Sequence, residues 1–409
     1  MKKRYSHSLG GLISGLALLA ASIVPVRASC VLDGSFYAGG TVTWGGQYIL
    51  AAATQSDGKV LYGGYFSLTY NGVNYANIVR FNTDGSVDIS FNPSPDHAVR
   101  TILVQPDGKI IIGGHFSTVM GYSKPNLARL YSNGVPDGFP ASAPNGAVYS
   151  LGRFSDGRIV AGGSFTAVGA SPCTRVACFQ SGGAHVTSFN PGIVGNIVWA
   201  IAVYPPGVPS ADSVMIGGEF SQVSSLNRVN VARLNTSGAI DTSFDMGFNP
   251  VNGIVYALAT DYATFNIYGN EWQEKVYIGG AFTSPRTYFT RLAHSGGIDS
   301  NIEGSTTDGI VRAIRIQANH GVLLGGDFAH VPWPDRRGVA RFYPGGAEDG
   351  SNINDLLRLS AWSDCGGCNV GGNVNALALG PSGEIYIGGG FTGFENTSWP
   401  HFARLFTNW

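Results

Sequence analysis

Ala98-Val-Arg-Thr-Ile-Leu-Val-Gln105, Pro106-Asp-Gly108, Lys109-Ile-Ile-Ile-Gly-Gly-His-Phe116, then after a short loop Asn126-Leu-Ala-Arg-Leu130, Ser132-Asn-Gly134 and Val135-Pro-Asp-Gly-Phe139: this stretch holds four strand-like runs, a to d, separated by turn signals. Asp-Gly and Asn-Gly between apolar runs are strong hairpin signals, because the favoured two-residue turn needs positive φ at both positions. Runs a to d are therefore expected to form one antiparallel unit. Ile110, Ile111 and Ile112 are apolar at consecutive positions, as in a strand buried on both faces. The following Gly-Gly removes two side chains where a neighbouring backbone or ring must come close, and the Phe then supplies bulk.

The tetrapeptide Gly-Gly-x-Phe returns seven times, beginning at Gly63, Gly113, Gly162, Gly217, Gly279, Gly325 and Gly388. A period of about 40 to 50 residues built from several short strands is the signature of a β-propeller. Only 12% of residues are charged and 59 of 409 are glycine, a bias toward strands and tight turns. The expected fold is all-β, a seven-bladed propeller with four-stranded antiparallel blades. The last copy reads Phe402-Ala-Arg-Leu-Phe406 and has no run d, whereas Val31-Leu-Asp-Gly-Ser-Phe36 reads like Val87-Asp-Ile-Ser-Phe91. The N-terminal strand is thus expected to complete the last blade, which closes the ring and removes free sheet edges.

Within the repeat, Arg80 and Asp88, Arg129 and Asp137, Arg233 and Asp241, Arg291 and Asp299, and Arg341 and Asp349 are each eight residues apart, Arg on run c and Asp on run d. Arg404 and Asp33 are the same pair divided between the ends. The third copy loses both members together, with Cys178 and Val186 in their places. Loss in concert implies that each group satisfies the other, since a lone buried charge is costly and a hydrogen-bonded Arg-carboxylate pair is not. These are read as structural ion pairs.

On these motifs, Gln105-Pro-Asp-Gly-Lys109, Gly-Gly-x-Phe, Ala-Arg-Leu and Asp-x-Ser-Phe, residues 31–409 resemble the delta-60 repeat family of bacterial β-propeller proteins. The resemblance implies an exported propeller and transfers no activity to any residue. Departures are the a-to-b turns of copies four to six and the long connection over residues 350–373.

Residues 1–28 carry a basic start (Lys2, Lys3, Arg4), a charge-free stretch from Tyr5 to Val26, and the small-x-small ending Val26-Arg27-Ala28. They read as a secretory signal peptide, leaving 29–409 as a single propeller domain that is secreted, periplasmic or held at the cell surface. Glycines at 10, 11 and 15 and Pro25 break the apolar core, which argues against an uncleaved anchor. Export would place the five cysteines in an oxidising compartment. Cys365-Gly-Gly-Cys368 can close a disulfide because two glycines tolerate the tight turn. Cys173 and Cys178 could bridge only if the intervening chain curls, and Cys30 is left over.

Net charge is −1 with no basic run beyond the N-terminus, so nothing marks a nucleic-acid or anionic-lipid surface. No cofactor motif and no metal-ligand spacing is present. Function is expected on loops of the face where b-to-c loops and d-to-a connections emerge. There Trp333, Asp335, Arg336, Trp362, Asp364, Glu395 and Trp399 combine aromatic rings with polar groups, which suits a glycan or a protein ligand. The leading expectation is a binding or adhesion module. The alternatives are a glycan-active enzyme using Asp335, Asp364 or Glu395 as paired acids, and a structural envelope or matrix protein. On the opposite face residues 261–274 form an insertion, expected as an extended hairpin.

Overall fold

A computed structural model describes residues 30–34, 36, 42–247, 250–263, 273–299, 307–329, 337–342, 370, 372–394, 397–398 and 401–407. Among them every regular element is a β-strand. The inner strands, run a of each copy, are Val42–Thr54, Val99–Val104, Val148–Arg153, Ile193–Val203, Ile254–Ala263, Val311–Ile316 and Val374–Leu379. Each pairs antiparallel with its run b, and run b with run c. In the second copy Val99–Val104 pairs with Ile110–Gly114, which pairs with Leu127–Leu130.

Cys30–Leu32 pairs antiparallel with Phe402–Thr407, Leu32 opposite Leu405, so the last sheet takes the N-terminal strand as its fourth. In copies one to five run d does not extend into a strand. It touches its sheet by single bridges, Phe81 to Val87, Leu130 to Pro136, Phe179 to His185, Leu234 to Ile240 and Leu292 to Ile298. The expectation of four full strands per sheet is corrected accordingly. The reason lies in Asp-x-Ser-Phe itself: Asp88 Oδ1 accepts from the N–H of Ser90 at 3.0 Å and from its hydroxyl at 2.6 Å, which turns the chain away after one bridge. In copy two Pro136 also lacks the N–H that pairing needs.

The a-to-b turns differ from expectation too. Gly58, Gly108 and Gly157 have φ of 83°, 80° and 89°, while the preceding aspartates are not left-handed. Gly58 N–H donates to Gln55 O at 3.0 Å, and Asp57 Oδ1 accepts from Lys59 N–H at 3.1 Å. One left-handed glycine after a tight turn suffices in a longer loop, and the Asp stabilises it through its side chain.

The apolar cores lie between sheets. One joins Leu61 and Ile78 of copy one to Val99, Ile110 and Ile112 of copy two, and the pattern continues along the chain. The seventh core joins Ala376, Tyr386 and Phe402 to Ile49, Val60 and Tyr62, so the last sheet packs on the first. Asn375 Nδ2 donates to Ile49 O at 3.1 Å across the same junction.

The two constant glycines have different causes. A Cβ on Gly113 would lie 2.6 Å from Val148 Cγ1 of the next sheet, and one on Gly388 would lie 2.4 Å from Ile49 Cγ2 of the first. A Cβ on Gly114 would lie 2.0 Å from Ala98 O of its own sheet. The first glycine admits the neighbouring sheet; the second admits an inner-strand carbonyl.

Candidate functional site

That carbonyl comes so close because each inner strand carries a β-bulge at one repeated position. The register slips between Ile49 and Ala51, Val99 and Thr101, Val148 and Ser150, Val198 and Ala200, Val255 and Ala257, Val311 and Ala313, and Val374 and Ala376. A bulge bends its strand and re-aims a side chain. The seven residues re-aimed are Leu50, Arg100, Tyr149, Trp199, Tyr256, Arg312 and Asn375, and these seven line the mouth of a central bore. The bore, about 260 Å³, is walled by all seven inner strands, and its lining includes Arg100, Arg312 and Arg315 but no carboxylate.

Five consecutive sheets make an arc, Arg100, Tyr149, Trp199, Tyr256, Arg312. The rings of Tyr149 and Trp199 are 4.3 Å apart between centroids and those of Trp199 and Tyr256 5.5 Å. Arg100 lies 5.3 Å over Tyr149, and Arg312 lies 5.4 Å over Tyr256. Each arginine is backed by the x residue of its own Gly-Gly-x-Phe, which sits at the end of run b beside the bulge. Arg312 Nε and Nη2 donate to the two oxygens of Asp327 at 2.8 and 2.6 Å. This bidentate contact raises the arginine pKa against the opposing effect of burial.

Arg100 is backed instead by His115. Its Nε–H donates to His115 Nδ1 over 3.4 Å, which places the imidazole proton on Nε2, 3.1 Å from the Tyr149 hydroxyl. Burial, the charge of Arg100 and His97 push the His115 pKa down to about 4. The imidazole is neutral at pH 7, and no ion pair involves Arg100 among the described residues. Burial also lowers the Arg100 pKa. The rings of Tyr65, His97 and His115 continue the arc outward with centroid spacings of 5.2 and 5.9 Å.

Sequence reasoning did not find this site. The signal was present as the residue after the Val or Ile at which each run a bulges, and as the variable x of the most constant motif. Both lie where run a starts and run b ends, on the face from which b-to-c loops emerge. The loop residues proposed from sequence, Trp333, Asp335, Arg336, Trp362, Asp364, Glu395 and Trp399, lie outside the described residues, as do residues 1–28, Cys365, Cys368, Asp349 and most of the insertion at 261–274. Cys173 and Cys178 are buried free thiols. Burial pushes both to about 11, at Cys178 against the lowering charge of Arg158, so they are held as unreactive thiols.

The repeated ion pairs form around the opposite end of the sheets. Nε to Oδ2 distances are 2.9 Å for Arg80–Asp88, 2.7 Å for Arg129–Asp137, 2.7 Å for Arg233–Asp241 and 2.9 Å for Arg291–Asp299. Arg404 Nε reaches Asp33 Oδ2 at 2.7 Å, joining two ends of the chain. Four of these arginines, Arg80, Arg129, Arg233 and Arg404, also donate to a backbone carbonyl of the neighbouring copy. Arg80 Nη1 donates to Ser132 O at 2.7 Å and Arg129 Nη1 to Ser181 O at 2.6 Å, both in the next copy. The guanidinium of Arg80 stacks 4.3 Å over Phe91 and that of Arg129 4.8 Å over Phe139. Burial pushes the Asp88 carboxyl up, but hydrogen bonds from Lys59 and Ser90 and the charge of Arg80 outweigh it, and the group stays well below the ordinary carboxylate range.

In the third copy, where Cys178 and Val186 replace the pair, Arg158 from run b does the same work. Its Nε binds Asp156 at 2.7 Å, its Nη1 donates to Thr236 O at 3.0 Å in the next copy, and its guanidinium stacks 4.5 Å over Phe154. A second recurrent grip was missed from sequence. Asn77, Asn126 and Asn230, each three residues before the run-c Arg position, have left-handed φ and donate through Nδ2 to Pro95, Pro144 and Val251 of the following copy at 2.8, 3.1 and 3.0 Å. Their signal was the Asn recurring three residues before the run-c Arg.

Residues 55–91, 105–138, 155–184 and 212–244, about a third of the chain, match a family described as "Domain of unknown function (DUF5122) beta-propeller". With the all-β repeats, this makes the chain a β-propeller-repeat protein. Among solved structures it is similar to a streptogramin B lyase (10% identity over 90% of this chain and 98% of that one, TM-score 0.43). It is also similar to the WD40 propeller domain of Doa1 (13%, 91% and 97%, TM-score 0.48) and to a gluconolactonase from Xanthomonas campestris (12%, 93% and 96%, TM-score 0.37). Likenesses this distant transfer nothing about ligand or reaction. No curated protein matches the chain.

Proposed function

We propose that the chain is an exported recognition module, a closed seven-bladed propeller of the delta-60 type over residues 29–409, preceded by a cleaved signal peptide at 1–28. Its ligand site is the mouth of the central bore, with the b-to-c loops of the same face as a rim. The arc Arg100–Tyr149–Trp199–Tyr256–Arg312 carries this reading. Three rings set on bulged strands, with two guanidinium groups over the outer two, offer apolar faces for a sugar ring and donors for its oxygens. Seven inter-sheet cores, the last between copies seven and one, support ring closure. The bore is at the small end of ligand pockets, which suits a monosaccharide or one terminal residue of a longer glycan.

The test is binding of the secreted protein to a glycan panel, with Trp199→Ala probing the bore and Trp399→Ala probing the rim. Trp199→Ala is expected to weaken binding by about 2 kcal/mol, as removal of a desolvated aromatic anchor does. Loss through Trp399→Ala alone moves the site to the rim. Absence of any glycan bound by the wild-type protein overturns the recognition reading.

A further inference from the structure

We infer that the bore selects an anionic ligand, a sugar acid carrying one carboxylate, with the carboxylate held at Arg100 and the ring on the aromatic arc. This rests on the recognition reading above and adds the charge of the ligand and where that charge sits.

Three arginines line the bore with no acid among its lining residues, although the whole chain has net charge −1. A cleft lined by one sign of charge concentrates ions of the other sign. The two mirror-related arginines of the arc are not equivalent. Arg312 is neutralised by the bidentate carboxylate of Asp327, whereas Arg100 faces a neutral imidazole that accepts from its Nε. Its Nη groups make no hydrogen bond among the described residues. The same imidazole donates from Nε2 toward the Tyr149 oxygen, so the Tyr149 hydroxyl proton is free for an acceptor in the bore. One layer deeper, Arg315 replaces the Leu103, Gly152, Ala202, Ala259 and Ala378 of equivalent positions, and its only hydrogen bond among the described residues goes to the adjacent Ile314 O at 2.9 Å. Glu219, the x residue of copy four, does not line the cavity. The uncompensated donors of Arg100 and Tyr149 therefore lie together at one end of the arc, with aromatic faces beside them, while Arg315, on the strand of Arg312, adds a further cation to the bore. That pattern fits a carboxylate on a ring better than a neutral sugar, which would leave the half-buried Arg100 without a counter-charge.

The experiment is calorimetric titration of the wild-type protein with glucuronate, with glucose as the neutral counterpart and benzoate as a flat carboxylate that is not a sugar. Glucuronate is expected to bind at least about tenfold tighter than glucose, as one charge-assisted contact provides. Arg100→Gln should remove that preference, weakening glucuronate at least about tenfold and glucose far less, and Arg315→Gln should reduce it. Asp327→Asn should do the opposite, because freeing Arg312 adds a second cation to the arc, and should tighten glucuronate several-fold. Equal affinity for glucuronate and glucose, unaffected by Arg100→Gln or Asp327→Asn, overturns the anionic assignment while leaving a glycan-binding bore. Preference for benzoate over glucuronate overturns the sugar part and keeps the carboxylate site. No binding of any of the three, at unaltered thermal stability, overturns both readings for ligands of this size.

Discussion

Replacing Gly113 by Ala tests whether the first glycine of the repeat motif exists to admit the next sheet. The new Cβ would stand 2.6 Å from Val148 Cγ1 and 2.8 Å from Thr101 Cγ2, close to 1 Å inside ordinary contact. Overpacking of this kind costs about 1–3 kcal/mol, reduced by roughly 0.5–1 kcal/mol because Ala has less chain entropy to lose than Gly. Val148 is fully buried, and Val148→Ala removes two methyl groups at about 0.8 kcal/mol each plus a cavity term, about 2–3 kcal/mol in all. In the double variant the methyl added at 113 enters the space vacated at 148. Contacts with Thr101 Cγ2 and with the Cβ of residue 148 at 3.0 Å remain, so the double variant should lose clearly less than the sum of the two single losses, a favourable coupling of about 1 kcal/mol. Gly114→Ala is the control, since its Cβ would meet the Ala98 carbonyl at 2.0 Å and no side-chain deletion relieves a backbone clash. Urea unfolding followed by tryptophan fluorescence, with m-values compared, measures all of these. Additive effects at 113 and 148, within about 0.5 kcal/mol, would refute the packing explanation.

At Arg129 and Asp137, Arg129→Met or Asp137→Asn alone should each cost about 3 kcal/mol, and the double variant clearly less than the sum, because one partner left behind is a buried unpaired charge; an additive double-mutant cycle would show that the constant spacing has another cause. Arg158→Ala should destabilise by about 1–2 kcal/mol, whereas Lys109→Ala at the matching position of copy two should stay within about 0.5 kcal/mol, as its contact to Asp107 is a surface pair at 3.6 Å. His115 has a folded pKa of about 4 against 6.5 in the unfolded chain, so the unfolded state binds more protons between those values. Its contribution is complete above about pH 6.5, lost as pH falls toward 4 and constant below, and His115→Asn should flatten that part of a pH–stability profile. Non-reducing peptide mapping should find Cys365 joined to Cys368, with Cys173 and Cys178 as thiols; free thiols at both 365 and 368 would reopen a metal-binding reading there.

What could be read from the chain alone was whatever repeats. Gly-Gly-x-Phe, the turn glycines and the Arg and Asp eight residues apart return because every copy meets the same neighbours. Local chemistry repeated from copy to copy therefore implies the all-β propeller architecture and the ion pairs, and the shortened last copy points to Leu32 opposite Leu405. Residues that differ between copies were opaque for the same reason. Leu50, Arg100, Tyr149, Trp199, Tyr256, Arg312 and Asn375 share no side-chain type, and they form one surface only because a bulge in each inner strand turns them toward a common axis. Arg158 standing in for the missing arginine of copy three is a similar case, since the vacancy at Cys178 can be filled by any guanidinium that reaches the space, whatever its sequence position. Run d appeared as a strand in sequence because its apolar residues alternate, yet the turn made by the Asp side chain ends its pairing after one bridge. Sequence periodicity determined which residues sit in sheets. Only packing around a shared axis decided which side chains meet in the bore and which charges there are left uncompensated.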